Sequence, residues 1–430
     1  MEETQVATLG TASPDLLGAG VFAPLLKRLQ AMLGWRLLAM VATAAGNIWA
    51  SRCLGPKNLG MSAAVQAIYT QALLFTHFGQ NSFLIRHYKH ITGKEAHLEL
   101  VENVVVLRSA FSFLIAAFAI AGLLIHGIPS IWMLPVGAGI ALFLLEAQTP
   151  DWLLQAQENQ TAIYRSALFG ALLGAACYFI FFRPGASPGA NLLVACASAI
   201  LVRALTYKAA LSGLGIPRIG LIHIRPALAL LWRGRIFFAT AVVVSIYTQG
   251  EQLIVAYYRP INELGVYKTA LQITGAAVPL FGIIISLLYP RIIEWRKRGS
   301  NYLWQRQVQL GTATFAGCII FGAVILLTLP YVYPLIFGSR FSGGAFPCAI
   351  LLISKMLVIP VCIFVHAIWA HGRDLLMLAI TSITALFSLA LNFALIPAHG
   401  IIFASVANLA SEVLMLVLGI IISYRMRNDD

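Results

Sequence analysis

The chain has 430 residues, of which 60% are hydrophobic and only 10% charged. Soluble domains carry roughly 25% charged residues, so the composition excludes a soluble globular protein and points to a polytopic membrane protein. The net charge of +13 does not imply a nucleic-acid partner, because the basic residues sit in short loops between apolar spans and read as the positive-inside bias.

Residues 1–33 precede the first span. Met1 to Gly20 contains Glu2, Glu3 and Asp15 and has no basic n-region, so it does not read as a cleavable signal. Within Pro14 to Leu33, Leu16, Leu17, Val21, Phe22, Leu25, Leu26 and Leu29 recur near helical spacing beside Lys27 and Arg28. That pattern predicts a helix in the cytoplasmic interface.

Spans need about 20 apolar residues each. The hydropathy pattern predicts twelve, over 34–52, 60–85, 104–126, 131–150, 163–182, 190–211, 236–257, 265–289, 309–330, 346–370, 375–396 and 400–423. The narrowest separation is His126 to Ser130, between the third and fourth. With loops assigned alternately to the two sides, 21 Lys and Arg fall on one side and six on the other, and Arg203 and Lys355 fall inside spans. This bias predicts cytoplasmic termini.

The first two spans form a hairpin from Asn47 to His90. Leu54-Gly55-Pro56 breaks the first helix, because Gly is flexible and Pro lacks an amide donor. The turn is expected to run from Cys53 to Gly60, with Leu59-Gly60 opening the second helix. There Gln66, Thr70, His77 and Asn81, spaced by four, seven and four, share one face. A polar stripe in an apolar crossing faces water or a partner rather than lipid.

A basic loop, 213–234, separates residues 34–212 from residues 235–424, and 425–430 form a tail. The two long segments read as repeats. Leu264-Gly265 follows Arg259 to Glu263 just as Leu59-Gly60 follows the first turn, and both precede Ala-rich helices carrying Gln66 in one case and Lys268 and Gln272 in the other. The sequence therefore predicts an all-α polytopic protein of twelve transmembrane helices in two pseudo-symmetric six-helix lobes. Repeats of this kind put a substrate path between the lobes near the bilayer midplane.

Ionisable groups inside spans cost roughly 2.5–3.5 kcal/mol on insertion scales. Arg36 shares a face with Thr43 and Asn47, and reads either as a phosphate ligand or as a snorkelling anchor beside Trp35. Arg203 lies roughly 13 Å from the cytoplasmic end of its span, which suggests a functional group or a buried pair. Lys355, in line with Cys362 and His366, and Glu412, in line with Ser405 and Asn408, read as a salt bridge or as transport residues. Glu251, between Gln249 and Gln252, reads as a partner of Lys268 or Arg259 at the outer mouth or as a cation-coupling group. Lys268, Gln272, Gly275, Pro279 and Ser286 form one face of the eighth span, with Gly275 and Pro279 able to bend it. Facing the Gln66 stripe, this face would line a central cavity that Arg36, Arg203, Lys268 and Lys355 make electropositive, suited to pyrophosphate and acidic sugars.

Six cysteines lack metal-ligand spacing, and no Walker A, His-x-x-x-His or Gly-x-Ser-x-Gly pattern occurs. The sequence predicts neither an enzyme nor a bound cofactor or metal.

Four motifs carry a resemblance: Leu54-Gly55-Pro56-Lys57-Asn58-Leu59-Gly60-Met61, Phe78-Gly79 with Leu84-Ile85-Arg86, Leu264-Gly265-Val266-Tyr267-Lys268-Thr269-Ala270, and Tyr333-Pro334-Leu335-Ile336-Phe337-Gly338. With them the chain resembles the Wzx-type flippases, the polysaccharide-exporting branch of the multidrug/oligosaccharidyl-lipid/polysaccharide superfamily. Such members often carry an acidic residue just before the first Phe-Gly, where this chain has His77. The resemblance implies a MATE-like fold in a bacterial inner membrane. It implies alternating-access flipping of an undecaprenyl-pyrophosphate oligosaccharide to the outer leaflet, for O-antigen, capsule or exopolysaccharide assembly. A polysaccharide polymerase and chain-length machinery are implied partners, and a proton or sodium gradient acting at Glu251 and Glu412 is the implied drive. The rival readings are a multidrug exporter, whose cationic drugs favour an acidic cavity, and a polysaccharide polymerase or ligase, which needs a sizeable outer loop. Arg183 to Gly189 and Gly338 to Ala345 are among the longest outer loops expected. A non-transporting scaffold would not require charges in several spans.

Overall fold

The computed structural model describes residues 19–78, 81–215, 228–230, 232 and 234–428. The expected interfacial helix Pro14 to Leu33 and the basic loop 213–234 fall largely outside the residues whose side chains are described. All regular structure among the described residues is helical: α1 (Ala19–His77), α2 (Asn81–His90), α3 (Lys94–His126), α4 (Ser130–Ala147), α5 (Asp151–Ala156), α6 (Gln160–Phe181), α7 (Pro188–Ala210), α8 (Arg235–Tyr258), α9 (Ile261–Lys297), α10 (Ser300–Phe337), α11 (Ala345–Ala370), α12 (Asp374–His399) and α13 (Ile401–Arg425).

Gly55 is the only non-helical residue inside α1, with φ 72° and ψ 171°. A side chain there would strain the left-handed backbone, and Pro56 removes the amide that would continue the ladder. The eight-residue turn expected over Cys53 to Gly60 is thus a one-residue kink between two arms. The second arm also ends sooner than predicted: Phe78 takes φ 49°, and helix resumes at Asn81 as α2. The expected stripe consequently loses Asn81, which sits on a separate helix. The third and fourth spans separate where the sequence placed the break, at 127–129.

By length and composition, nine helices among the described residues are apolar enough to cross a membrane. One of them, Gly34–His77, contains the kink and so divides into two arms, each of membrane-spanning length. Those two arms, α8, α9 and the other eight give twelve membrane-length segments in two sets of six.

The packing repeats between the sets. In the first, arm 1 packs on α6, arm 2 on α4, α4 on α7 and α6 on α7. In the second, α8 packs on α12, α9 on α11, α11 on α13 and α12 on α13. First lies on fifth, second on fourth, fourth on sixth and fifth on sixth in both halves. The main core lies between the halves at the kink end, around Leu54, Leu59, Leu264, Tyr267, Tyr333, Phe337 and Phe341. Phe118, Leu124, Ile125, Leu327, Leu375 and Leu386 remain exposed, as lipid-facing side chains do where the backbone satisfies its own hydrogen bonds.

Candidate substrate cavity between the two halves

The halves meet most tightly where arm 2 crosses α9. A Cβ added at Gly60 would overlap the Ile261 carbonyl and lie 3.1 Å from the Gly265 amide nitrogen. One added at Gly265 would overlap the Pro56 carbonyl and lie 2.9 Å from the Gly60 nitrogen. Small residues let helix backbones approach this closely in a membrane. Arg52, at the end of arm 1, donates from Nε to the Ile336 carbonyl (2.7 Å) and from Nη2 to the Leu335 carbonyl. It thereby satisfies carbonyls in the last turn of α10 that have no intrahelical partner.

Away from this seal the halves diverge on one side. Arm 1 and α6 are separated from α9 by a cavity of about 650 Å³ lined by Arg36, Thr43, Asn47, Tyr164, Gln272 and Gly275 among others. At the blind end beneath Gly60, a polar chamber of about 170 Å³ is lined by Asn47, Ser51, Gln66, Asn191, Lys268 and Gln272, among others. A third cavity of about 330 Å³ lies inside the first half, with Asn47, Tyr69, Glu146 and Tyr178 in its wall. Asn47 lines all three. On the opposite side of the molecule the halves stay joined by Ser245 Oγ donating to Gln71 Oε1 (2.7 Å) and by Phe238 against Phe75 and Phe78.

Five of the expected site residues line these cavities: Arg36, Asn47 and Gln272 the large one, and Asn47, Gln66, Lys268 and Gln272 the polar chamber. The two polar faces do oppose each other, through Gln66 and Lys268. Arg36 keeps its guanidinium near Tyr164, 3.5 Å from the hydroxyl and 5.3 Å from the ring centroid, a cation–π arrangement. Thr70 lines none of the three cavities, and the side chains of Pro279 and Ser286 lie outside the described residues.

His77 and Arg203 belong to a separate network in the first half. Arg203 donates to Glu146 Oε2 (2.6 Å) and Thr149 Oγ1 (2.9 Å), and Asp151 Oδ1 stands 3.7 Å away. His77 Nε2 is 3.3 Å from the Glu146 carbonyl oxygen. Arg108 is buried behind them, donating to the Thr149 carbonyl (2.6 Å) and to Asn81 Oδ1 (3.0 Å). Sequence reasoning missed Glu146, Asp151 and Arg108. Arg108 lies inside the predicted third span, but α3 begins ten residues before that span and buries the side chain. The signal for the others was two carboxylates five residues apart at the end of an apolar run.

Lys355 and Glu412 form a second network. Their charges are 3.9 Å apart, so the pairing left open by the sequence is made. Asn408 is its hub: Oδ1 accepts from Ser354 Oγ (2.7 Å) and Lys355 Nζ (3.3 Å), while Nδ2 donates to Glu251 Oε2 (3.2 Å). Glu251 is buried, not at an outer mouth, and neither expected partner reaches it. Arg259 is held instead by Glu263, four residues on, at 2.9 and 3.0 Å. Arg259 lies in extended backbone between α8 and α9, reaches forward to Glu263 in the first turn of α9, and also donates from Nη1 to the Pro397 carbonyl (3.2 Å). Lys268 projects into the polar chamber.

Comparison with known proteins places this geometry. Residues 31–295 match the family described as polysaccharide biosynthesis protein. No curated protein sequence matches the chain. Among solved structures, the inward-facing conformation of a multidrug resistance MATE family transporter of the MOP superfamily is 14% identical. It covers 92% of this chain and 98% of its own, with a TM-score of 0.70. The lipid II flippase MurJ in an inward closed conformation is also 14% identical, covering 92% of this chain and 86% of its own, with a TM-score of 0.68. Both share the fold.

Proposed function

We propose that this chain, which belongs to the polysaccharide biosynthesis protein family, moves a lipid-linked oligosaccharide across a bilayer by alternating access. The observation that carries the reading is the cavity between the halves. It is blind at the Gly60–Gly265 crossing, open between arm 1 and α9, and has Arg36 in its wall with no carboxylate within 4 Å among the described residues. A lipid flippase and an exporter with this fold support transport rather than catalysis.

In this account the lipid pyrophosphate meets Arg36, whose planar donors match phosphate oxygens. The glycan occupies the cavity, and the polyprenyl tail stays in the bilayer through the gap beside α9. The termini face the cytoplasm of a bacterial cell, so the cavity opens inward and the kink end faces out. Rocking of the halves breaks the Gly60–Gly265 contact and delivers the head group to the outer leaflet, where polymerase and chain-length machinery take the glycan. The Glu251–Asn408–Lys355–Glu412 cluster holds two carboxylates and one ammonium. Two buried carboxylates close together favour protonation or cation binding, and a proton or sodium ion drawn from a gradient acts there. A cavity with cations in its wall and its buried carboxylates engaged elsewhere disfavours cationic drugs as substrates.

Deletion of the gene followed by lipid analysis tests the reading. The expected result is full-length lipid-linked oligosaccharide accumulating on the cytoplasmic face. Truncated glycans, or no accumulation, would point to an enzyme or to another substrate.

A further inference from the structure

Most of the cations discussed above that lie within helices or between the halves are matched by acceptors. Arg203, Lys355 and Arg259 each face a carboxylate, and Arg108 donates to a carbonyl and an amide oxygen. Lys268 differs: among the described residues no acceptor lies within hydrogen-bond reach of its ammonium, although it lines an enclosed chamber at the blind end of the cavity. The chamber offers it no carboxylate. Asn47, Ser51, Gln66, Asn191 and Gln272 surround it, all neutral. Tyr178 donates to Asn191 Oδ1 (2.9 Å), which leaves the Asn191 amide as a donor. Ser51 Oγ donates to the Asn47 carbonyl (2.7 Å) and stands 3.2 Å from the acceptor Gln272 Oε1. An ammonium removed from water without a counter-charge is costly, and the chamber's shape leaves space where that counter-charge would sit.

The same anion cannot serve Arg36. Arg36 and Ser51 are 15 residues apart on arm 1, about 22 Å of helix, so a pyrophosphate at Arg36 leaves Lys268 unmatched. We infer that the chamber is a second, anion-reading subsite, and that the transported glycan carries a monoanionic acid group, a sugar carboxylate, which Lys268 binds when the lipid phosphate is at Arg36. One ammonium among neutral amides balances one negative charge; a phosphate monoester, at roughly −1.5 to −2, would leave an excess buried. This inference rests on the flippase reading and adds the substrate class to it.

The test uses the purified full chain in liposomes with two polyprenyl-pyrophosphate disaccharides that differ only in ending in glucuronate or glucose. The wild type is expected to move the glucuronate lipid faster. Lys268→Gln is expected to reduce that preference about tenfold, the effect of losing one charge-assisted hydrogen bond, and Lys268→Arg to keep most of it. Because the readout is a ratio, partial loss of folded protein does not alter it. Equal rates for the two lipids in the wild type, or a ratio unchanged in Lys268→Gln, overturn the subsite and leave the flippase reading standing. Movement of neither lipid overturns both.

Discussion

Gly60 and Gly265 touch backbone to backbone, each occupying the place where the other's helix would otherwise carry a side chain. They hold equivalent positions in the two repeats, so one contact on the pseudo-symmetry axis seals the kink end of the cavity. Gly60→Ala and Gly265→Ala are each expected to prop this seal open while leaving the helices themselves intact, since Ala is the better helix former. The check is labelling of a cysteine placed at Ser62, which is buried in the sealed form: it becomes reactive from the kink side in either variant and stays protected in the parent.

Arg52 reinforces the same seal from the surface, through the Ile336 and Leu335 carbonyls. Because it is exposed, its loss is expected to move the thermal midpoint little. Arg52→Ala shifts the population toward forms open at the kink end, read as faster labelling at the Ser62→Cys position. Unchanged labelling would assign Arg52 to the surface alone.

The Arg203–Glu146 pair is expected to behave as a structural unit. Arg203→Gln leaves Glu146 without its cation and Glu146→Gln leaves Arg203 with Asp151 alone, and with the partners 14% and 32% exposed the loss should be on the order of 2 kcal/mol, below that of fully buried pairs. The joint change Arg203→Met with Glu146→Leu should recover most of it in thermal unfolding. A stable but transport-dead double variant would show instead that Arg203 meets the substrate.

Coupling is expected at the Asn408 hub. Glu251→Gln and Glu412→Gln each remove one of the two carboxylates that Asn408 and Lys355 bridge, and each should weaken the response of liposome flipping to an imposed proton or sodium gradient. If flipping ignores both gradients and both variants, the cluster is a structural pair and nothing more.

The all-helical, membrane-spanning character and the repeated packing were legible in the sequence because hydropathy and Leu-Gly spacing are local signals. The Gly55 kink was legible in kind, but its sharpness was not, since Gly60 looks like a turn residue until α9 is seen to need its missing Cβ. Arg36, Asn47, Gln66, Lys268 and Gln272 came from helical phase, and they line two cavities that have Asn47 and Gln272 in common. Arg203 and Lys355 were grouped with them on charge alone. Their carboxylate partners lie on other helices, 57 residues away in sequence for Arg203 and on α13 for Lys355, and helical periodicity does not report which span packs on which. The expected partner of Glu251 failed for the same reason: proximity in sequence suggested Arg259, while Glu263 takes that side chain and Asn408 takes Glu251.

The most direct measurement is flipping by the purified protein in liposomes loaded with a fluorescent polyprenyl-pyrophosphate oligosaccharide, scored by access of an impermeant quencher. The account predicts protein-dependent exchange between leaflets that falls at least about tenfold in Arg36→Gln, the loss of one charge-assisted phosphate contact. Exchange no faster than in protein-free liposomes, or equal in parent and Arg36→Gln, would contradict it.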